Sequence, residues 1–267
     1  MKTRRILLIC TIFSFVASFS ISPCRAADIY ADKSKLYLNG EIRAGDAERM
    51  ALALSKMPRA SYLTVNSPGG DIREALRLAQ LVRRSRIGVL VSKGGYCVSA
   101  CFFIYLEGYW RIAYSAQEDG TLLPFEKRQK RFGMVGIHRP YLKSTDGGVK
   151  SIQSQDDLMR AARSHLILKS IPQYLIDEMM GRPSNDIYWL KERDLEALGE
   201  HDPGVEEALI AKCGYKRTGA MVDENWSTEK RDLLTHCSLD YWDQEFLPSQ
   251  QKFLNDLENG RRPWIKQ

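Results

Sequence analysis

The feature that most constrains this chain is a hydrophobic pattern whose period keeps changing. The segment "SYLTVNS" (residues 61–67) is a strand-like run that stops at "PGG". "DIREALRLAQLVRRS" (71–85) then puts Ile72, Ala75, Leu76, Ala79 and Val82 on one helical face, with Asp71 where a helix start favours an acid. "IGVLVSKGG" (87–95) returns to a short apolar run bounded by glycines, which reads as a buried strand. Before this unit, "KLYLNGEI" (35–42) alternates like a strand and "GDAERMALALSKM" (45–57) has helical spacing. After it, "SACFFIYLEG" (99–108) reads as a buried helix ending near Gly108, and "RIAYS" (111–115) and "MVGIHRPY" (134–141) read as strands. Strands that alternate with helices need crossovers, so the predicted fold is α/β with a largely parallel sheet. Residues 151–180 form a long helical pattern that Pro172 bends or breaks, and "RPSNDIYWLKERDLEALGEHD" (182–202) reads as a turn plus a short amphipathic helix. The stretch between Ser115 and Gly133 is a polar insertion, long enough for a lid, a binding loop or disorder.

The first residues read as an address. Lys2, Arg4 and Arg5 precede an almost wholly apolar run at 6–21 and then "SPCRAAD", the order of a secretory signal peptide spanning 1–26 with cleavage after Ala26. A retained membrane anchor is the alternative, although about 16 apolar residues are short for a span of about 20. Lipidation at Cys24 is disfavoured by Pro23 just before it. Removing 1–26 takes four cations and no acid, so the net charge falls from +6 to +2. The basic runs "RRSR", "EKRQKR" and "GRRPWIK" lack an interleaved aromatic platform, which argues against a nucleic-acid partner.

Export implies an oxidising compartment, which opens Cys97, Cys101, Cys213 and Cys237 to pairing. A Cys213–Cys237 bridge would remove about 3.5 kcal/mol of unfolded-chain freedom. Cys97 and Cys101, one helical turn apart, are awkward to bridge and read as two small buried apolar groups. Near Cys213 the composition turns polar and Trp/Lys-rich, which sets a main domain at 27–212 and a C-terminal extension at 213–267. The histidines are scattered, no second cysteine pair lies near Cys97, and no Gly-rich phosphate loop is present, so neither metal nor cofactor is indicated.

Three segments could carry chemistry. "NSPGGD" (66–71) exposes backbone N–H groups after a strand, or is an ordinary tight turn. Ser99, in "GGYCVSACFF", is either a helix N-cap or a hydroxyl facing the strand ends. His138, in "GIHRP", follows a strand and suits a general base better than His165, His201 or His236, or is a hydrogen-bonded strand-end residue.

Taken in order, "LTVNSPGGDIREALRLAQLVR", "CVSACFFIYLEG", "GIHRP" and "NDIYWLKERDLEALG" resemble the proteolytic subunit of the Clp protease and its relatives within the crotonase-like fold, over about residues 36–202. The resemblance implies a spiral of ββα units with Ser99 as nucleophile, His138 as general base, and the Gly70 and Ala100 amides as the oxyanion hole. It places the acid of a triad at Asp186, with Asp177 and Asp194 as alternatives. It also implies peptide or unfolded-protein substrates and a homo-oligomer. The "CVSAC" frame and the insertion before His138 depart from the cytosolic enzymes, and an exported chain has no ATP-driven unfoldase partner. The reading is therefore an exported, ATP-independent serine peptidase or acyl hydrolase. A binding or scaffold module without turnover is the competing reading. Acyl-thioester chemistry, a cysteine nucleophile at Cys97 or Cys101, and a serine–lysine pair using Lys93 are each disfavoured, by export, by thiol oxidation and by His138 respectively.

Overall fold

The computed structural model describes residues 26–57, 59–113, 133–141, 152–199, 201–214 and 228–262; all but the last residue of the signal peptide expected at 1–26, and the whole insertion expected between Ser115 and Gly133, lie outside them. The alternating run of "KLYLN" forms β2 (Lys35–Asn39), with Leu36 and Leu38 fully buried, and pairs antiparallel with β1 (Asp28–Asp32). Helix α1 (Asp46–Ser55) follows a left-handed Gly45, and β3 (Tyr62–Asn66) lies parallel to β2. Helix α2 (Ile72–Ser85) opens where the Asp71 carboxylate accepts the N–H groups of Arg73 and Glu74 at 2.8 and 3.1 Å, a cap worth about 1 kcal/mol. Its buried face holds Ile72, Ala75, Ala79 and Val82 as expected, whereas Leu76 is only partly buried.

From here the chain divides between two sheets. Strand β4 (Gly88–Val91) joins the large one, and β5 (Tyr96–Val98), after four intervening residues, starts a small one. Helix α3 (Ala100–Leu106) follows, buried on every side. The next turn repeats the plan: β6 (Arg111–Ile112) enters the large sheet, β7 (Met134–Ile137) the small one, and α4 (Ile152–Leu168) comes next. The large sheet has the order β1-β2-β3-β4-β6 and is parallel from β2 onward. The small sheet runs β5-β7-β8, with β5 and β7 parallel and β8 (Tyr188–Trp189) antiparallel. Strand–strand–helix units stepping between two sheets give the mixed, largely parallel α/β fold that the alternation predicts.

The long helical pattern at 151–180 is broken, as Pro172 predicts, between α4 and α5 (Gln173–Gly181). Helices α6 (Glu192–Leu198), α7 (Pro203–Cys213), α8 (Thr228–Tyr241) and, after a π-helical turn at Trp242–Phe246, α9 (Leu247–Glu258) follow among the described residues. Helix α9 buries Phe253, Leu254 and Leu257 in the main core, and the Gln250 side-chain amide donates to the carbonyls of Ala60 and Ser85 at 2.8 and 2.7 Å. Among the described residues no helix is long and apolar enough to cross a membrane.

Both cysteine pairs are bridged. Cys213–Cys237 agrees with the expectation, and Cys97–Cys101 corrects it. Within one helix, residues four apart hold their Cβ atoms about 5–6 Å apart, beyond the disulfide range of about 3.5–4.5 Å. Here Cys97 lies in β5 and Cys101 in α3, and the change of direction between them brings the Cα atoms to 5.2 Å.

Candidate active site

Three strand ends meet at one place, each for a local reason. The β3 end continues through Ser67, Pro68, Gly69 and Gly70. Ser67 joins the small sheet by accepting from Val98 N–H at 3.0 Å and donating its own N–H to the Tyr96 carbonyl at 2.8 Å. The glycines that follow answer two close approaches. A Cβ on Gly69, at φ +89°, would lie 2.6 Å from the Val98 oxygen and 2.9 Å from the Ala100 nitrogen; one on Gly70 would strike the Ile42 carbonyl. The Ile42 N–H donates to the Gly69 carbonyl and the Ile42 carbonyl accepts from Asp71 N–H, at 2.8 and 2.9 Å, which pins the loop.

At the β5 end, Ser99 adopts φ 58° and ψ −122°, a conformation that costs a non-glycine residue about 1–3 kcal/mol. The Ser99 N–H donates to the Gly136 carbonyl of β7 at 3.0 Å, which holds the elbow against the small sheet. Ser99 stands at the N-cap position of α3, yet its hydroxyl makes no capping bond. The ordinary structural use of a serine at this position is therefore absent, and the hydroxyl is not spent on the helix.

At the β7 end, His138 is buried, and its Nδ1 lies 3.0 Å from the Arg139 carbonyl. A carbonyl oxygen only accepts, so Nδ1 carries the proton of the neutral ring and Nε2 is the basic nitrogen. Tyr141 packs beside the ring, with centroids 5.9 Å apart.

Ser99, His138, Gly70 and Ala100 line one cleft of about 270 Å³, together with Glu41, Pro68, Gly69, Ile72, Phe103, Pro140 and Tyr141. Among the described residues, neither the Gly70 nor the Ala100 N–H donates to another backbone group. A hydroxyl, a basic imidazole and two unspent amides around one cleft are the parts that nucleophilic acyl transfer uses.

The three carboxylates expected from the sequence lie elsewhere. Asp186 is half exposed and accepts from the Arg182 guanidinium at 2.6 Å. Asp177 accepts from Gln173 at 2.8 Å. Asp194 is fully buried and accepts from the Tyr174 and Tyr188 hydroxyls and the Lys191 N–H, which raises the Tyr174 pKa, through burial first and this bond second, to about 12. None of the three lines the cleft. The carboxylate that does is Glu41, 2.7 Å from Arg43 and unmarked in the sequence by any pattern. Gly69 lines the cleft as well, and the doubled glycine of "NSPGG" is its signal in the sequence.

The far end of α3 is fastened separately. Glu107, just past that helix, is buried with Lys169 Nζ at 2.7 Å and His165 Nε2 at 3.3 Å, and Lys169 also reaches Asp202 at 3.1 Å. Burial opposes the charge on Glu107, but the His165 and Lys169 bonds outweigh it and hold the carboxyl below its ordinary pKa.

No protein-family model matches this chain, and no curated protein matches it. Solved structures similar to it include ClpP1 from Listeria monocytogenes, 19% identical over 63% of this chain and 88% of that one, with a TM-score of 0.42. Another is the 1510-N membrane-bound stomatin-specific protease, 16% identical over 74% of this chain and 95% of that one, with a TM-score of 0.41.

Proposed function

We propose that the chain is an exported, ATP-independent serine peptidase or related acyl hydrolase acting on peptides or unfolded chains. One observation carries the reading: the unspent Ser99 hydroxyl, on a strained elbow, shares a cleft with His138 and with two free amides. Ser99 Oγ attacks the substrate carbonyl carbon while His138 Nε2 takes the hydroxyl proton. The negative oxygen of the tetrahedral intermediate is met by the Gly70 and Ala100 N–H groups. His138 returns the proton to the leaving amine, and water then releases the acyl group by the same steps in reverse. The orienting duty on His138 falls to the Arg139 carbonyl, and Asp186 connects to it through Arg182, whose carbonyl accepts the Arg139 N–H at 3.1 Å. Export rests on the N-terminal segment and suits the two disulfides.

The test is turnover of short peptide esters by the purified chain. Ser99→Ala and His138→Ala are each expected to lower kcat by about a thousandfold or more at unchanged peptide affinity. Equal turnover by wild type and Ser99→Ala would remove the serine from the mechanism.

A second reading, a peptide-binding module without turnover, is favoured by the absence of Asp186 from the cleft. It predicts that wild type and Ser99→Ala bind peptides equally and that neither hydrolyses them.

A further inference from the structure

The loop between Cys97 and Cys101 contains Val98, Ser99 and Ala100, and so encloses both the proposed nucleophile and one of its oxyanion donors. Both cysteines are fully buried. Cys97 is fixed in β5, between Ser67 on one side and Val135 of β7 on the other, and Cys101 sits in the first turn of α3. The sequence from Cys97 to Cys101 carries no glycine or proline, so the competing arrangement is α3 continued backward through Ser99, opposed by the bonds of the Val98 and Ser99 amides to Ser67 and Gly136. Such a continuation would return Ser99 from its positive φ to the ordinary helical region and turn its hydroxyl away from the strand ends. It would also hold the two Cβ atoms about 5–6 Å apart, too far to bridge. The bond therefore forms across the elbow and not across the competing helical turn.

The geometry points to the Cys97–Cys101 disulfide as a positioning element that makes assembly of the Ser99 site conditional on oxidation. The inference rests on the assignment of Ser99 as nucleophile above. Closing the bond passes two electrons and two protons from the Cys97 and Cys101 thiols to an oxidised disulfide partner, which leaves as two thiols. The precursor in a reducing compartment would lack the set elbow, and the oxidised chain would have it.

The experiment uses the full chain, expressed with its own N-terminal segment into an oxidising compartment, in a Cys213→Ala/Cys237→Ala background so that one disulfide is read. The rate of Ser99 modification by a fluorophosphonate is measured across oxidised and reduced glutathione mixtures, with the oxidised fraction of Cys97 and Cys101 followed by mass. The rate should track that fraction and fall about tenfold or more on full reduction, while circular dichroism holds. The Cys97→Ala/Cys101→Ala chain should match the reduced form. Hydrogen exchange of the Val98 and Ser99 amides, which bond to Ser67 and Gly136, reads the elbow without any chemistry and should accelerate about tenfold in the same samples. Unchanged exchange on reduction would overturn the inference, as would a modification rate indifferent to it. A chain whose exchange responds but whose Ser99 never reacts would leave the clamp standing and fail the peptidase reading instead.

Discussion

The two disulfides set the region around the cleft against the region around the C-terminal helices. Cys213–Cys237 spans 24 residues and ties the end of α7 to α8 at the periphery, with both cysteines partly exposed. Cys97–Cys101 spans four, lies wholly in the core and closes a ring around a strained serine. By loop entropy the long ring restrains the unfolded chain by about 3.5 kcal/mol and the short one by only about 2. The bond that restrains the unfolded chain less is the one placed where backbone geometry sets the proposed nucleophile. One bond type thus serves stability at the edge and placement at the centre.

That contrast can be broken or sharpened by substitution. The largest effect is expected of Gly69→Ala, whose methyl would press on Val98, Ser99 and Ala100 and displace both the elbow and a proposed oxyanion donor; fluorophosphonate labelling should slow about a thousandfold. A normal rate would show that the central region tolerates displacement and that the contrast is false. Next comes Cys213→Ala/Cys237→Ala, which should cost up to about 3.5 kcal/mol in chemical denaturation and leave the labelling rate unchanged.

The third prediction concerns acid. His201 bridges to Trp110 beside β6 and lines a separate cleft of about 420 Å³ against α7 and α8. Burial, and then the charge of Arg111, push its pKa from 6.5 down to about 4. Below the unfolded value the denatured chain takes a proton that the folded chain refuses, so stability falls as pH drops from 6.5 to 4, by about 3 kcal/mol in all. Denaturation curves of His201→Gln should lose that slope, which would assign this acid sensitivity to the peripheral region. The smallest effect is expected of Asp186→Asn: less than about tenfold on labelling, where the acid of a full triad would cost about ten-thousandfold.

What the sequence revealed follows from where its signals are local. Strands β2, β3 and β4 and helices α1 and α2 were readable because each buries a periodic face of its own. Strand β1 was not, because its side chains are mostly exposed and carry no apolar alternation. Strands β5 and β8 have three and two residues and exist only through their partners in the small sheet. The same holds at the cleft. Ser99, His138, Gly70 and Ala100 stand beside turn signals at strand ends, and they line one cavity. The Arg139 carbonyl, Glu41 and the company Asp186 keeps depend on contacts between segments, which no spacing encodes. The Cys97–Cys101 bond was hidden because a spacing of four looks helical until the positive φ at Ser99 is known.

The most direct test of the central claim is peptide mapping of the chain after reaction with a fluorophosphonate at neutral pH. The account predicts one phosphonyl adduct, on the peptide containing Ser99, formed by wild type and abolished by His138→Ala. An adduct on another residue, or none on a folded and oxidised chain, would contradict it.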